Sequence, residues 1–348
     1  MSYQGTQIII NLKNLKANLS FIKSKVDEET KIMSVVKAFG YGSGPVKISK
    51  FLEKNGVDYF AVAYVNEGIA LRNAGIKLPV LVLHPQADDF DEIIQYNLEP
   101  SIYSFRILNA FIKKSKSHPF HLKFNTGLNR LGFSIDDIDE LYYILKGEAN
   151  IKYLFSHLGA SEDKKEKNYT LNQILLFEKI STQMERKFDK SFKKHLLNTS
   201  GILNYSEFKY DMVRTGIGLY GYGNDKIFSK YLKPILSLKS VISQIHEIEK
   251  GQSVGYNRGF IAKKNCKIAI IPIGHADGIS RSLGNGNIGF LIKNKIAKTV
   301  GNICMDMLML DITNINCKEG DEVSIIDENY ITAEDLGEET NTISYEIL

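Results

Sequence analysis

The chain has 348 residues, 43% of them hydrophobic and 24% charged, and a formal net charge of +4. That length exceeds one small core and suits a large barrel plus a second domain in a globular enzyme. Lysines interleave with acids, as in Lys164-Lys165-Glu166-Lys167, and no apolar run reaches bilayer length, so neither a nucleic-acid nor a membrane partner is expected.

Leu12, Leu15, Leu19, Ile22 and Val26 recur at helical spacing. Ile32 to Val36 is a β-branched strand run, and Ser43-Pro45 and Asn55-Gly56 bracket the next helix. Asp58 to Ala63 reads as a strand, Asn66 to Ala74 as a helix closed by Gly75, and Leu78 to Leu83 as a strand. Further strands are predicted at Pro100 to Tyr103, His121 to Asn125, Lys152 to His157, His195 to Thr199 and Asp211 to Arg214. Eight strands alternating with helices predict an α/β fold, an N-terminal (β/α)8 barrel over residues 1–228. A doubly wound open sheet is the alternative, but no GxGxxG follows the first strand.

Beyond about Tyr231 helical periodicity fades. Val241 to Ile248, Lys267 to Pro272, Gly289 to Ile292, Met307 to Asp311 and Val323 to Ile326 are strand-like, with Gly251, Gly286 and Gly320 in turn-like spacers. Residues 229–348 are therefore expected to form a C-terminal β-rich domain. Cys266, Cys304 and Cys317 lack CxxC spacing; no metal is expected, and a reduced, cytoplasmic setting is the default.

Catalytic groups of barrels gather where strands end. Lys37 follows the first strand, in Val35-Val36-Lys37-Ala38-Phe39-Gly40-Tyr41-Gly42. A partly dry lysine there loses its charge readily and can form a Schiff base. Alone it would be an ordinary strand-end lysine. The fifth strand, however, ends in Lys123 and leads to Arg130, the sixth ends in His157, the seventh in Thr199 and the eighth in Arg214-Thr215-Gly216-Ile217. Singly, Thr199 is a helix N-cap, His157 a core histidine, and Arg130 and Arg214 surface ion pairs. Together at one barrel face they point to a site, with phosphate expected after strands seven and eight.

These residues lie in the first five of nine motifs: VVKAFGYG (35–42), KFNTGLNRLGF (123–133), SHLGASED (156–163), LNTSG (197–201), DMVRTGIGLYG (211–221), VGYNRGF (254–260), IGHADG (273–278), GNICMDM (301–307) and TISYE (342–346). In order and spacing they resemble the alanine racemases, pyridoxal-phosphate enzymes of fold type III, over nearly the whole chain. The resemblance implies that Lys37 carries pyridoxal 5'-phosphate as an aldimine. It implies that Tyr41, Thr199, Gly216, Ile217 and Tyr345 contact the phosphate and that Arg214 faces the pyridine nitrogen. Arg130 would lie beside the phenolic oxygen and the substrate, with Lys123 as a carbamylated lysine holding it. Tyr256, Met305 and Asp306 would come from the second subunit of a homodimer with shared sites. Lys37 and Tyr256 would then act as two bases on opposite faces of an external aldimine, interconverting L- and D-alanine for peptidoglycan. A free phenol is a weak base at neutral pH; the resemblance implies activation through His157 to Arg214. An arginine at the pyridine nitrogen hydrogen-bonds without protonating it and weakens the electron sink, which disfavours transamination.

Asn125, His275 and Asn302 stand where the family commonly has aspartate, tyrosine and arginine. The alternatives are a racemase of serine or a basic amino acid, a barrel-type pyridoxal-phosphate decarboxylase, for which no three-glycine phosphate loop is visible, and a non-catalytic cofactor carrier, against which the residues after 230 argue.

Overall fold

The computed structural model describes residues 5–147, 149–223 and 226–348. It opens on a strand that the sequence reading missed, β1 (Gln7–Ile10). The chain divides into two compact units, one of Leu12–Lys233 and one of the described residues up to Asn11 with Pro234–Leu348.

In the first unit, β2 (Lys31–Val35), β3 (Tyr59–Val62), β4 (Val80–Val82), β5 (Glu99–Ile102), β6 (Phe120–Lys123), β7 (Ile151–Phe155), β8 (Lys193–His195) and β9 (Met212–Thr215) close into a parallel barrel. This is the (β/α)8 barrel expected from the sequence. Strands β3, β4, β5, β6 and β9 are buried at every position, because helices cover the outer face and side chains fill the interior. Closure is made by β2 on β9, with Met33 opposite Arg214 and Ser34 opposite Thr215.

Local chemistry sets the helix ends. Pro45 starts the helix Pro45–Lys54 after Gly44, whose φ of 81° suits glycine. Ser104 caps Phe105–Lys114, its side chain accepting from the Ile107 N–H at 3.4 Å. One strand end moves from its expected place: β8 stops at His195 instead of continuing to Thr199. Asn198 leaves the sheet to cap the helix Thr199–Asn204, its Oδ1 accepting from the Gly201 N–H at 2.8 Å.

In the second unit β1 pairs antiparallel with β10 (Leu236–Val241). The expected strand Val241 to Ile248 is β11 (Gln244–Ile248), and its first residue, Val241, ends β10, because the chain passes from one sheet to another at Ile242-Ser243. The strands β12 (Ser253–Val254), β13 (Phe260–Ile261), β14 (Cys266–Ile271), β15 (Gly289–Ile292), β16 (Lys295–Lys298), β17 (Leu308–Asp311) and β18 (Glu322–Ile326) complete the unit. Among the described residues they form a sheet of order β1-β10-β18-β15-β16, one of order β11-β14-β17, and the pair β12-β13. Leu236, Ile271, Phe290, Leu308, Val323 and Ile325 belong to its core. No helix among the described residues is long and apolar enough to cross a membrane.

Candidate active site

Lys37 stands directly after β2, and the backbone that follows it is strained. Ala38, Phe39, Gly40, Tyr41 and Gly42 all have positive φ, between 51° and 72°. For Ala38, Phe39 and Tyr41 this costs on the order of 1 kcal/mol each. The turn is held from outside: Glu67 Oε1 accepts from the Ala38 N–H at 2.6 Å, while Oε2 accepts from the Ala63 and Tyr64 N–H groups at 2.7 and 3.1 Å. Burial pulls the Lys37 amine below its ordinary pKa, the Arg130 charge adds to this, and Glu67 opposes it. A depressed lysine on a strained turn is the signature of a nucleophile or base.

Tyr41, buried by the same turn, stacks on Tyr220 with centroids 4.4 Å apart. Its Oη lies against Gly216, where a Cβ would meet it at 2.3 Å. Thr199 Oγ1, also buried, accepts from the Gly216 and Gly218 N–H groups at 3.3 and 3.4 Å. Strand β9 runs directly into Gly216-Ile217, so Tyr41, Thr199, Gly216 and Ile217 come together as two hydroxyls and a glycine backbone.

Lys123, at the end of β6, is buried, with Nζ 5.7 Å from the Phe155 ring centroid. Burial, then the charges of Arg130, Arg214 and Lys37, lower its pKa from 10.5 to about 7. The loop beyond returns to the strand through Asn125 N–H to Phe133 O and Phe133 N–H to Lys123 O, both 2.9 Å. It carries Arg130, which is exposed. Asn125 Oδ1 accepts from the Gly127 and Asn129 N–H groups at 3.1 and 3.0 Å, and Nδ2 donates to Asn129 Oδ1 at 2.9 Å. An aspartate could make the first two bonds but not the third, so Asn125 suits the Asn129 it faces.

Arg214 is 4% exposed. Its Nη1 donates to His195 Nδ1 at 2.6 Å, and Nη2 donates to Ser156 O and Leu196 O, both at 2.7 Å, and to His157 Nδ1 at 3.1 Å. Burial draws its pKa down to about 9, still charged at neutral pH. Burial, and then Arg214, hold His157 and His195 far below the ordinary histidine value, so both rings are neutral. The sequence reading found Arg214 and His157 but not the buried side chains behind them, His195, His121, Glu99 and Tyr59, nor the half-buried Lys152 that pairs with Glu99. The available signal was the appearance of ionisable residues at inward strand positions, as with His121 two residues before Lys123.

Four of the expected residues belong to the second unit. Tyr256 is 70% exposed, in a turn after Gly255, and its carbonyl accepts from Asn302 Nδ2 at 3.0 Å. Met305 and Asp306 are exposed in the next loop. That loop is pinned by the His275 and Ala276 N–H groups, which donate to Cys304 O and Met305 O at 2.9 and 2.8 Å. Three separate motifs thus build one cluster around Tyr256 and Met305. Tyr345 stands on the short helix Ser344–Ile347, partly exposed.

A barrel whose strand ends gather an amine below its ordinary pKa, buried cations and a hydroxyl–glycine cradle defines a barrel enzyme with a lysine poised as nucleophile or base. Residues 10–224 match the model of the alanine racemase N-terminal domain and residues 235–348 that of the C-terminal domain. The chain is 36% identical to an alanine racemase of Clostridium tetani, over 97% of this chain and 91% of that one. It superposes on the alanine racemase of Clostridium difficile 630 with a TM-score of 0.93 at 34% identity, covering 100% of this chain and 93% of that one. It also superposes on an alanine racemase of Bartonella henselae described with covalently bound pyridoxal phosphate, at TM-score 0.90 and 28% identity, covering 99% and 96%. The chain belongs to the alanine racemase family, and it is an isomerase of that kind.

Proposed function

We propose that this protein interconverts L- and D-alanine with pyridoxal 5'-phosphate held on Lys37, in a homodimer whose sites are each completed by Tyr256, Met305 and Asp306 of the second copy. The residues present fit that cofactor. A phosphate needs clustered donors and close backbone approach, and Thr199, Tyr41 and Gly216-Ile217 meet where a Cβ on Gly216 would collide with Tyr41 Oη. In this reading Arg214 serves the pyridine nitrogen and Tyr345 the phosphate.

When bound, the cofactor withdraws electrons from the substrate α-carbon and acidifies its proton. Lys37 Nζ, kept easily neutral by burial and by Arg130, takes or returns that proton on one face. Tyr256 Oη of the second copy does so on the other. Arg214 occupies both acceptor carbonyls and His157 Nδ1, which leaves the His157 Nε2–H to donate toward the phenol and support its deprotonated form. Arg130, supported by Lys123, orients the substrate and the ring oxygen. The enzyme acts in the cytoplasm, and its D-alanine serves peptidoglycan.

The observation that carries this reading is the pairing, at one barrel end, of a depressed lysine with a buried arginine where a decarboxylase or transaminase tends to use a carboxylate. Circular dichroism on L-alanine tests it. The holoenzyme should racemise alanine faster than serine, lysine or arginine, and Lys37→Ala should lose the bound-cofactor absorbance and about 10²–10⁴-fold or more of the rate. Release of carbon dioxide, or undiminished cofactor absorbance in Lys37→Ala, would contradict it.

A further inference from the structure

The inside of a (β/α)8 barrel is ordinarily packed with branched apolar side chains. Here β5, β6, β8 and β9 instead send Glu99, His121, His195 and Arg214 inward, each no more than 5% exposed. They form one unbroken chain. Arg214 Nη1 lies 2.6 Å from His195 Nδ1, His195 Nε2 lies 3.0 Å from His121 Nδ1, and His121 Nε2 lies 2.9 Å from Glu99 Oε2. Lys152 Nζ donates to Glu99 Oε1 at 2.6 Å, and Tyr59 Oη donates to Oε2.

The direction of every link is forced. A guanidinium can only donate, so His195 Nδ1 must be bare and its proton must sit on Nε2. That proton is donated to His121 Nδ1, so the His121 proton also sits on Nε2. An ionised carboxylate can only accept, and Glu99 receives it. The rings are clamped in place: His195 stacks on Phe155 at 4.7 Å and His121 on Tyr153 at 4.8 Å. A second proton on His121 would reverse the chain. His121 Nδ1–H would donate to His195, His195 would carry its proton on Nδ1, and two donors would then oppose each other at Arg214.

We propose that Glu99 is a positioning residue for the cofactor-facing arginine, acting across the barrel interior by holding His121 in the tautomer whose bare Nδ1 accepts from His195 Nε2–H, so that the His195 ring stays aimed at Arg214. The proposal rests on the reading of Arg214 as the partner of the cofactor's ring nitrogen. Burial lowers the pKa of both rings, which keeps the chain neutral between its charged ends. Glu99 itself is held down to about 2: burial pushes it up, but the bonds from His121, Lys152 and Tyr59 outweigh that. The guanidinium is thereby locked in one plane without a carboxylate touching it, and its charge stays undiluted at the end that faces the site.

The test is ring-nitrogen NMR on the histidine-labelled holoenzyme, with each signal assigned by single substitution. His121 and His195 should both show a protonated Nε2 and a bare Nδ1, unchanged through the ordinary histidine titration range. A proton on Nδ1 of either ring in the native enzyme would overturn the proposal. Glu99→Leu removes the acceptor and leaves Tyr59 Oη, 3.5 Å from His121 Nε2, free to donate there. His121 should then lose its fixed tautomer while His195, still facing Arg214, keeps a bare Nδ1; kcat should fall roughly 10-fold or more with KM little changed, and the pH dependence of the bound cofactor's absorbance should shift. Tyr59→Phe should keep the native tautomers. Native tautomers and native kcat in Glu99→Leu would overturn the proposal; should that variant not fold, Glu99→Met and the native spectrum decide. Failure of the underlying cofactor reading is a distinct result, a native protein with no cofactor absorbance to shift.

Discussion

His157 Nδ1 lies 3.1 Å from Arg214 Nη2, so the ring is an acceptor on that side and keeps its only proton for the other. Arg214 holds His195 in the same way, and His121 follows through the chain. Three histidines are thus kept neutral inside one barrel, each with its pKa below the ordinary 6.5.

That has a thermodynamic consequence. Below about pH 6.5 the unfolded chain binds protons that the folded chain refuses, so ν is larger unfolded and stability must fall as pH drops. The stabilisation relative to acid is complete above the unfolded value and is lost progressively beneath it. Three such rings give a limiting slope of about 4 kcal/mol per pH unit. Denaturant titrations should show a steep loss of stability between about pH 6.5 and pH 5, reduced in His195→Gln. Glu99, held down to about 2, contributes only at lower pH. A flat profile in that window would contradict the neutral assignments.

Lys123 works in the opposite window. Its folded pKa of about 7 lies below the ordinary 10.5, so the unfolded chain again binds more protons between those values, and stability should rise with pH across that range. Below about pH 7 the full burial penalty remains, on the order of 3–5 kcal/mol. In carbon-dioxide-free buffer, Lys123→Met should melt roughly 5–10 °C higher than the native enzyme at neutral pH and lose the alkaline rise. Bicarbonate should raise the melting temperature and activity of the native enzyme and leave Lys123→Met unchanged, because only a neutral amine takes up carbon dioxide and the resulting anion can pair with Arg130.

Gly216 has φ −118° and ψ −91°, outside the main regions open to residues with a side chain, and space adds a second demand for glycine. In Gly216→Ala the new Cβ would meet Tyr41 Oη at 2.3 Å and must displace the tyrosine. Cofactor release measured by dialysis and absorbance should show affinity weakened about 10–100-fold, with far-ultraviolet circular dichroism unchanged. Native affinity in that variant would remove Tyr41 and Gly216 from the phosphate set.

Much of this was legible in the sequence. Each barrel strand fell within a few residues of its run, because short β-branched runs alternate with capped helices. Lys37, Thr199 and Arg214 could be singled out because they lie at or just beyond strand ends. What escaped was non-local. β1 is a four-residue run whose partner, β10, lies more than 200 residues away, and nothing in Gln7–Ile10 states that pairing. Of β10 only the last residue, Val241, fell in a predicted strand, because its partners β1 and β18 are distant in sequence. Glu99, His121 and His195 sit on three strands, and only barrel closure shows that they touch. Glu67 falls in the predicted helix Asn66 to Ala74, and its hold on the Ala38 N–H depends on a left-handed turn that no propensity predicts.

The central claim is that Lys37 and Tyr256 serve one site from two different chains. Mixing inactive Lys37→Ala with inactive Tyr256→Phe and letting subunits exchange tests it most directly. A shared site predicts that hybrid dimers hold one wholly native site each, so a one-to-one mixture should recover about a quarter of the native racemisation rate. If exchange is verified by mass and the mixture stays as inactive as its parents, the two residues do not meet across a subunit boundary.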